Sequence, residues 1–234
     1  LSHTKVELTY NLMRTFVAGL AFAMPFSLVY QMMSDRMKGL QKSEKVIKGL
    51  PFAAGFTAGT AVSIAGNMHY VIYAQIIPLI EKLTGKEVSS YWFPDATRYI
   101  GYNPYREEDR TIHEFPCYSF VLGDLHAHVV NIMFVLLVIA LLYVWLRGVR
   151  KKTVPVETSM KDGKFWKEQL LMPHLLVISA LLGMFQWTNF WDFVIYYVVT
   201  LGTVLFANII RFQGKIKKIM VVTFAQMAEI YLLA

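Results

Sequence analysis

The sequence is poor in charge and in cysteine. Asp, Glu, Lys and Arg make up 17% of its 234 residues, while hydrophobic residues make up 56%. A typical soluble domain carries about 25% charged residues, so too little charge remains to cover the surface of a water-soluble fold, and we do not expect one. The single cysteine, Cys117, has no partner for a disulfide within the chain, and we expect it to pack as a small apolar residue.

A cleavable signal peptide is not visible either. Residues 1–5 lack a basic n-region, and the apolar run that follows them has no small-residue cleavage site. The chain begins without a methionine, and its last apolar run continues to Ala234. We therefore expect 1–234 to form a single transmembrane domain that is a segment of a longer protein.

The sequence contains several long apolar runs. A run of about 18 or more apolar residues can cross about 30 Å of hydrocarbon as a helix. The runs predict an all-α fold, a polytopic transmembrane helix bundle with about six spans. They cover 12–32, 50–80, 121–146, 170–187, 193–210 and a run that begins near 219.

The connectors between the runs alternate in charge. Connectors 33–49, 147–169 and 211–218 carry an excess of Lys and Arg, which accumulate in short cytoplasmic loops. Connector 81–116 carries an excess of acidic residues, and it and the turn 188–192 should lie outside. The pattern predicts a multi-pass protein of the cell membrane, and the formal net charge of +7 is too dispersed to predict nucleic-acid binding.

The outer connector between the second and third runs is long. A loop of 36 residues, 81–116, exceeds what a bare connection needs and is typical of functional or disordered segments. Its aromatic residues suit the level of the lipid headgroups, so we expect an amphipathic outer loop. These aromatic residues are Tyr91, Trp92, Tyr99, Tyr102 and Tyr105.

Most of the polar residues that could do chemistry lie on this predicted outer side. These outer residues fall in outer loops or at the outer ends of helices, so they could converge on one site. The set comprises Asp95, Arg98, His113, Glu114, Asp124, His126, His128, Asn189 and Asp192.

The segment Asp124-Leu-His-Ala-His128 is the sharpest pattern, because ionisable groups at the head of an apolar span are costly unless they are paired or hydrated. On a helix Asp124 and His128 would share a face, whereas in an extended segment His126 would join them. Three interpretations stay open. The groups could hold a divalent metal, with Glu114 as a further ligand, form a network that ties the loop to the helix tops, or act as general acid and base.

Glu114 stands two residues before Pro116. The residue ahead of a proline avoids the helical region, so an extended backbone could direct this carboxylate into a cleft.

The other polar residues each have two interpretations. Asp95 and Arg98 could form a surface ion pair, or Arg98 could clamp a phosphate. Arg14, near the outer end of the first run, could snorkel to the interface or face an anionic group. Asn189 and Asp192 are what turn chemistry favours, although their predicted neighbours favour a functional role.

Three motifs of the chain resemble those of the YYY-domain family, bacterial and archaeal multi-spanning membrane proteins that are themselves uncharacterised. The motifs are the run from Ile112 to His128, Trp92 to Arg98, and Asn189 to Asp192. The resemblance covers about 90–197 and includes the spacing between motifs. The chain has Ala127 and Cys117 where the family tends to have proline and an aromatic residue.

That family is similar in architecture to glycosyltransferases of the GT-C class. The resemblance implies a membrane glycosyltransferase that takes sugar from a polyprenyl-phosphate donor at the extracytoplasmic face. It implies that Asp124, His126 and His128 bind a divalent metal or, with Glu114, act as catalytic residues. The residues that it implies for substrate binding are Asp95, Arg98, Asn189, Asp192 and Arg14. The implied partners are the lipid bilayer, the lipid-linked sugar and further helices or subunits.

Two other functions are compatible with the sequence. A transporter or channel component would place ionisable residues near the bilayer midplane, for which Asn67, His69 and Glu229 are the only indications. A non-catalytic structural subunit of a membrane assembly would use small residues for helix packing. Gly55, Gly59 and Gly66 in the second run have that character.

Overall fold

A computed structural model describes residues 4–38, 40, 44–66, 68–97, 112, 114–151 and 159–234. Every regular element among these residues is helical, which confirms the all-α prediction. The chain separates into two compact units, 1–129 and 130–234, called unit 1 and unit 2 below. Whether 1–234 acts as one transmembrane domain stays a prediction.

Unit 1 is built on two helices that pack along each other. Helix α1 covers Val6–Met37 and helix α2 covers Glu44–Ser63. Their aromatic side chains meet edge to face, as in the pairs Phe22–Phe56 and Phe26–Phe52, with ring centroids 5.8 and 5.6 Å apart.

Two glycines of α2 permit this close approach. A Cβ at Gly55 would lie 2.8 Å from the Phe26 carbonyl oxygen, and one at Gly59 would lie 2.9 Å from that of Phe22. The packing role predicted for these two glycines therefore fits the structure. It does not extend to Gly66, where a Cβ would meet nothing within 4 Å among the described residues.

The second apolar run is not one continuous helix. After α2 ends at Ser63 the chain turns, and Met68 adopts a left-handed conformation with φ +62°. Helix α3 covers His69–Val71, a π-helical turn covers Ile72–Ile76, and α4 covers Ile77–Leu83. The continuous helix predicted for 50–80 is wrong, because Gly66 at the break has low helical propensity and Met68 leaves the right-handed helical conformation.

The third apolar run is also divided. The run is shared between α5, which covers Pro116–Leu122, and α6, which covers Ala127–Lys151. A 3₁₀ helix, Phe93–Thr97, precedes them in the outer connector. Between α5 and α6 the chain leaves the helical conformation at Gly123, with φ +76°. The spanning helix therefore begins at Ala127 and not at the predicted residue 121.

The remaining helices form unit 2 together with α6 from Val130 onward. They are α7 Gly163–Leu170, α8 Pro173–Thr188, α9 Phe190–Phe212 and α10 Ile216–Leu233. A smaller apolar cluster contains Phe165, Phe212, Ile219 and Val222, and the main cluster is centred on α8. Its fully buried members include Val138, Leu175, Ile178, Leu182, Phe185, Val204 and Ile230.

Length and composition identify fewer spans than the sequence predicts. Among the described residues α1, α6 and α9 are long and apolar enough to cross a membrane, and α7 with α8, bent by 51°, could form a fourth span. The prediction of about six spans is therefore not confirmed. A membrane protein with several spanning helices is supported, whereas the cell membrane as its location and the sidedness of its connectors stay predictions.

Candidate functional site

The strongest polar arrangement in unit 1 is an imidazole held between two carboxylates. His126 contacts the Glu114 carboxylate through Nδ1, and its Nε2 lies 2.9 Å from Asp124 Oδ2. We call these three residues the carboxylate–imidazole triad. The sequence predicted that they could converge, and the structure brings them together.

Local backbone chemistry explains this geometry. Gly123 ends α5 in the left-handed conformation, and the N–H groups of Gly123 and Asp124 both donate to the Ser119 carbonyl, at 2.8 and 2.9 Å, a common way to terminate a helix. Residues 124–126 are not helical. Asp124 and His126 can therefore face each other, which helical spacing would not allow.

The extended approach predicted for Glu114 is also found. Phe115 has φ −80° and ψ 150° and precedes Pro116, the first residue of α5. The proline therefore excludes helix at the residue after Glu114. This delivers the carboxylate to His126, twelve residues further along the chain.

The two carboxylate contacts of His126 limit the protonation states that the triad can adopt. A neutral imidazole has only one N–H donor, so two carboxylate partners require either an imidazolium or one protonated carboxyl group. The side chains differ in access: Glu114 is 16% exposed, whereas His126 and Asp124 are 43% and 50% exposed. Such an arrangement can act as a general acid or base whose open end is Asp124.

Helix α1 secures the turn that carries Asp124. The Tyr10 hydroxyl donates to the Gly123 carbonyl and accepts from the Leu125 N–H, both at 3.0 Å. Arg14, one helical turn further on, lies so close to Gly123 that a Cβ there would overlap its Nη1. Arg14 thus lies beside Gly123, the residue before Asp124, and its role in substrate binding stays a prediction. The contact from Tyr10 was not predicted. Its signal in the sequence is a polar aromatic residue four positions before Arg14 on one helix face.

His128 lies in the first turn of α6 with its ring centroid 5.8 Å from that of His126. Ile112, Glu114, His126 and His128 line an open cavity of about 470 Å³. No three His, Cys, Asp or Glu residues within the described parts of the chain are arranged to hold a metal. Both ring nitrogens of His126 face carboxylates, and the metal set of Asp124, His126 and His128 stays a prediction.

The described part of the outer loop packs against α3 and α5. The Tyr91 hydroxyl lies 3.0 Å from His69 Nδ1, and Phe93 stacks on Tyr118 with centroids 5.0 Å apart. Burial raises the pKa of the Tyr91 hydroxyl, and the nearby Asp95 carboxylate raises it further. His69 therefore contacts the loop and is not isolated within a span.

Arg98 and His113 lie outside the described residues, as does Asn67. The ion pair or phosphate clamp expected of Asp95 and Arg98 therefore stays a prediction.

A second cavity, of about 590 Å³, lies beside this loop within unit 1 and is mainly apolar. Its wall includes Phe115, the neighbour of Glu114 in the chain. Burial raises the pKa of the Cys117 thiol, another wall residue, which fits the apolar packing expected of it. Other apolar side chains of the wall are Ile64, Met68, Val71, Phe93 and Val121.

Asn189 and Asp192 are brought together in unit 2. Asp192 Oδ2 accepts from Asn189 Nδ2 at 3.1 Å and from Asn131 Nδ2 at 2.9 Å. Asn131, which is 1% exposed, also donates to the Thr188 hydroxyl at 3.0 Å. Sequence reasoning missed Asn131, although an Asn within an apolar run is a signal of pairing. These local bonds account for the turn, and a role in substrate binding stays a prediction.

Comparison with known families gives a match over nearly the whole chain. The family is described as "Uncharacterized membrane protein (DUF2298)", and the match covers residues 1–233. No curated protein and no solved structure gives a significant match. The match confirms a membrane protein family but does not support the YYY-domain name or the similarity to GT-C enzymes, which stay predictions. The chain belongs to the DUF2298 family of membrane proteins.

Proposed function

We propose that this chain carries the reactive site of a membrane glycosyltransferase of the GT-C type, which transfers sugar from a polyprenyl-phosphate donor at the extracytoplasmic face. The observation that carries the proposal is the carboxylate–imidazole triad beside an open cavity in unit 1. Transfer of a sugar to a hydroxyl group releases a proton, and the triad can accept it.

Asp124 is the proposed general base. The acceptor oxygen bonds to the anomeric carbon of the sugar while the bond from that carbon to the lipid phosphate breaks. The acceptor proton passes to the Asp124 carboxylate, and the electron pair of the broken bond leaves with the phosphate. Asp124 suits this role because half of its side chain is exposed, so a substrate can reach it.

His126 and Glu114 position the base. His126 contacts Asp124 through Nε2, and Glu114 holds the opposite edge of the ring through Nδ1. Glu114 is the most shielded of the three, which suits a group that orients the ring. The role of His128 is to line the cavity in which the acceptor would lie.

Cationic side chains would hold the phosphate of the donor. Arg14 lies against Gly123, the residue before Asp124, and a guanidinium matches the geometry of phosphate oxygens. Arg98 is the second proposed phosphate ligand. The other residues proposed for substrate binding are Asp95, Asn189 and Asp192.

The apolar cavity of unit 1 supports a lipid-linked donor. Glu114 lines the open cavity beside the triad, and its neighbour Phe115 lines the apolar cavity. An isoprenoid chain in the apolar cavity would therefore end close to the triad. This arrangement favours a lipid phosphate over a soluble nucleotide sugar.

The experiment measures sugar transfer by the full chain in liposomes. Polyprenyl-phosphate mannose, glucose and galactose, each with a radiolabelled sugar, are supplied with a short oligosaccharide acceptor. We expect turnover with one of these donors and a loss of about 100-fold to 10,000-fold in Asp124→Asn, the usual contribution of general base catalysis.

Glu87→Gln is the matched control, because Glu87 is an exposed carboxylate in connector 81–116, which is predicted to lie on the same side of the membrane as Asp124. It should keep wild-type turnover. Wild-type protein that transfers none of the three sugars, or a folded Asp124→Asn variant with wild-type turnover, would contradict the proposal.

A structural subunit is the second candidate, favoured by one observation in unit 2. Asn208 donates to Thr223 and Gln226, and Gln226 donates to the Gln169 carbonyl. These polar groups satisfy one another across helices, as packing contacts do, and so do not resemble the lining of a transport pathway. An intact assembly with no turnover in any donor assay would favour this candidate.

A further inference from the structure

Unit 2 contains a cavity of about 620 Å³ that the proposed function does not use. It lies where α6 ends, α7 meets α8, and α9 ends. This end of the helices adjoins the basic connectors and so corresponds to the membrane interface. Apolar side chains form much of its wall: Leu141, Val144, Trp145, Val149, Leu171 and Met172.

One guanidinium faces this cavity. Arg211 lines it and donates to Gln169 Oε1 at 2.6 Å and to Asn208 Oδ1 at 3.3 Å. Both acceptors are neutral amides, and Gln169 and Asn208 are 1% and 0% exposed. Arginine has five N–H donors, so the two described bonds orient the guanidinium rigidly and leave donors for a ligand.

An imidazole is the second polar group of the wall. His174 packs against the Trp145 ring with centroids 5.0 Å apart. Its Nε2 is buried and has no hydrogen-bond partner among the described residues. A buried polar atom without a partner is costly, so a ligand that hydrogen-bonds to it would be stabilised.

The cavity also contains one acidic group. Glu168 lines it and is exposed, so one full positive and one full negative charge face the same space. A purely anionic ligand would meet repulsion from this carboxylate. A zwitterion with a phosphate and an ammonium group complements both charges.

We propose that this cavity binds a phospholipid with a primary-amine zwitterionic headgroup, of which phosphatidylethanolamine is the type. The phosphate accepts from Arg211 and from His174, whose ring donates through Nε2. The ammonium group donates to Glu168, and an acyl chain lies along the exposed wall of α6, where Val144 is 63% exposed. A quaternary amine has no N–H to donate, so phosphatidylcholine should bind less well.

The test is native mass spectrometry of the purified full chain with phosphatidylethanolamine, phosphatidylcholine or phosphatidylglycerol added at equal concentration. We expect phosphatidylethanolamine to bind about twofold to fivefold more tightly than phosphatidylcholine, the value of one exposed ion pair. Phosphatidylglycerol should bind more weakly than either. Equal affinity for the three lipids, or a preference for phosphatidylglycerol, would overturn the proposal.

Two variants separate the polar contact from the cavity itself. Glu168→Gln changes an exposed side chain and should abolish the preference for phosphatidylethanolamine over phosphatidylcholine. Gly148→Leu should weaken the binding of both lipids by about tenfold or more. Gly148 lines the cavity, and a Cβ there meets nothing within 4 Å among the described residues, so the new side chain would fill space that the lipid needs. A preference that survives Glu168→Gln, or binding unchanged by Gly148→Leu, would overturn it.

Arg211→Gln should lower the affinity for all three lipids by about tenfold or more, since a charge-assisted hydrogen bond to phosphate is lost. Because Arg211 belongs to a buried network, the lipid affinity of this variant is compared with wild type only when its thermal unfolding shows that it is folded. The other two variants decide the question without it. None of these results depends on glycosyl transfer, because the quantity measured is lipid binding.

Discussion

The two units differ in the polar groups that they contain. Unit 1 holds an imidazole between two carboxylates, with one end open to solvent. Unit 2 holds a buried network of neutral amides and a hydroxyl around Arg211. Neutral amides can satisfy one another between packed helices, whereas an imidazole between two carboxylates, one of them half exposed, can exchange a proton with a bound substrate. We therefore propose reactivity for unit 1 and helix association, with a lipid contact, for unit 2.

His126→Gln should sharpen this comparison most. Glutamine cannot contact Glu114 and Asp124 through two ring nitrogens, so Asp124 loses the group that positions it and we expect sugar transfer in liposomes to fall about 100-fold or more. The unfolding temperature in detergent should change little, because His126 is 43% exposed. A large loss of stability with unchanged transfer would reverse the assignment of the units.

Asn208→Leu should have the largest effect on stability. The change leaves Gln226, Thr223 and Arg211 without their described contacts to Asn208, at a cost of about 1–3 kcal/mol. Thermal unfolding in detergent measures it. Thr203→Val on the same helix is the control, because among the described residues Thr203 bonds only to Val199 of its own helix. Equal stability of the two variants would mean that the amide network contributes nothing.

Gly59→Ala tests helix packing in unit 1. The new Cβ would lie 2.9 Å from the Phe22 carbonyl of α1, so we expect a loss of about 1–3 kcal/mol. Gly19→Ala on α1 meets nothing within 4 Å among described residues and should be neutral or stabilising by up to about 1 kcal/mol. If both variants unfold at the same temperature, α1 and α2 do not pack as described.

Tyr10→Phe should have a smaller effect. It removes the hydroxyl that joins Gly123 and Leu125, at a cost of about 1 kcal/mol, and loosens the turn that carries Asp124. We expect sugar transfer to fall several-fold while the protein stays folded. Faster hydrogen exchange at the Leu125 amide would verify the local cause, and unchanged exchange there would argue against it.

The smallest effect concerns pH. The Glu81 carboxylate accepts from the Ser89 N–H at 2.8 Å and from its hydroxyl, which lowers the Glu81 pKa below its usual value of 4.5. A lowered pKa stabilises the folded turn above the usual pKa, and this contribution is lost as the pH falls through the folded value. Protection of the Ser89 amide, corrected for intrinsic exchange, should therefore decrease in acid, and Glu81→Gln should lack this pH dependence.

The sequence predicted the helical class and several elements well. The run 193–210 lies within α9 and 12–32 lies within α1, because both are long, apolar and free of breaks. Pro25 is tolerated in α1. The divisions of the second and third runs were missed, since hydropathy does not register a left-handed Met68 or Gly123.

Part of the site could be predicted and part could not. Pro116 predicted the extended approach to Glu114, and the polar segment from Asp124 to His128 identified the triad's location. Tyr10 contacts residues more than 100 positions away, and Arg211 donates to Gln169, 42 positions away. Such contacts depend on tertiary packing, which periodicity and spacing do not encode.

A double-mutant cycle tests most directly whether the triad is a single reactive unit. Sugar transfer in liposomes is measured for Glu114→Gln, His126→Gln and the double variant, at equal folded concentration. If Glu114 acts by orienting His126, the double variant should be no slower than His126→Gln alone. Losses that multiply in the double variant would contradict a shared triad and remove the basis for a reactive site in unit 1.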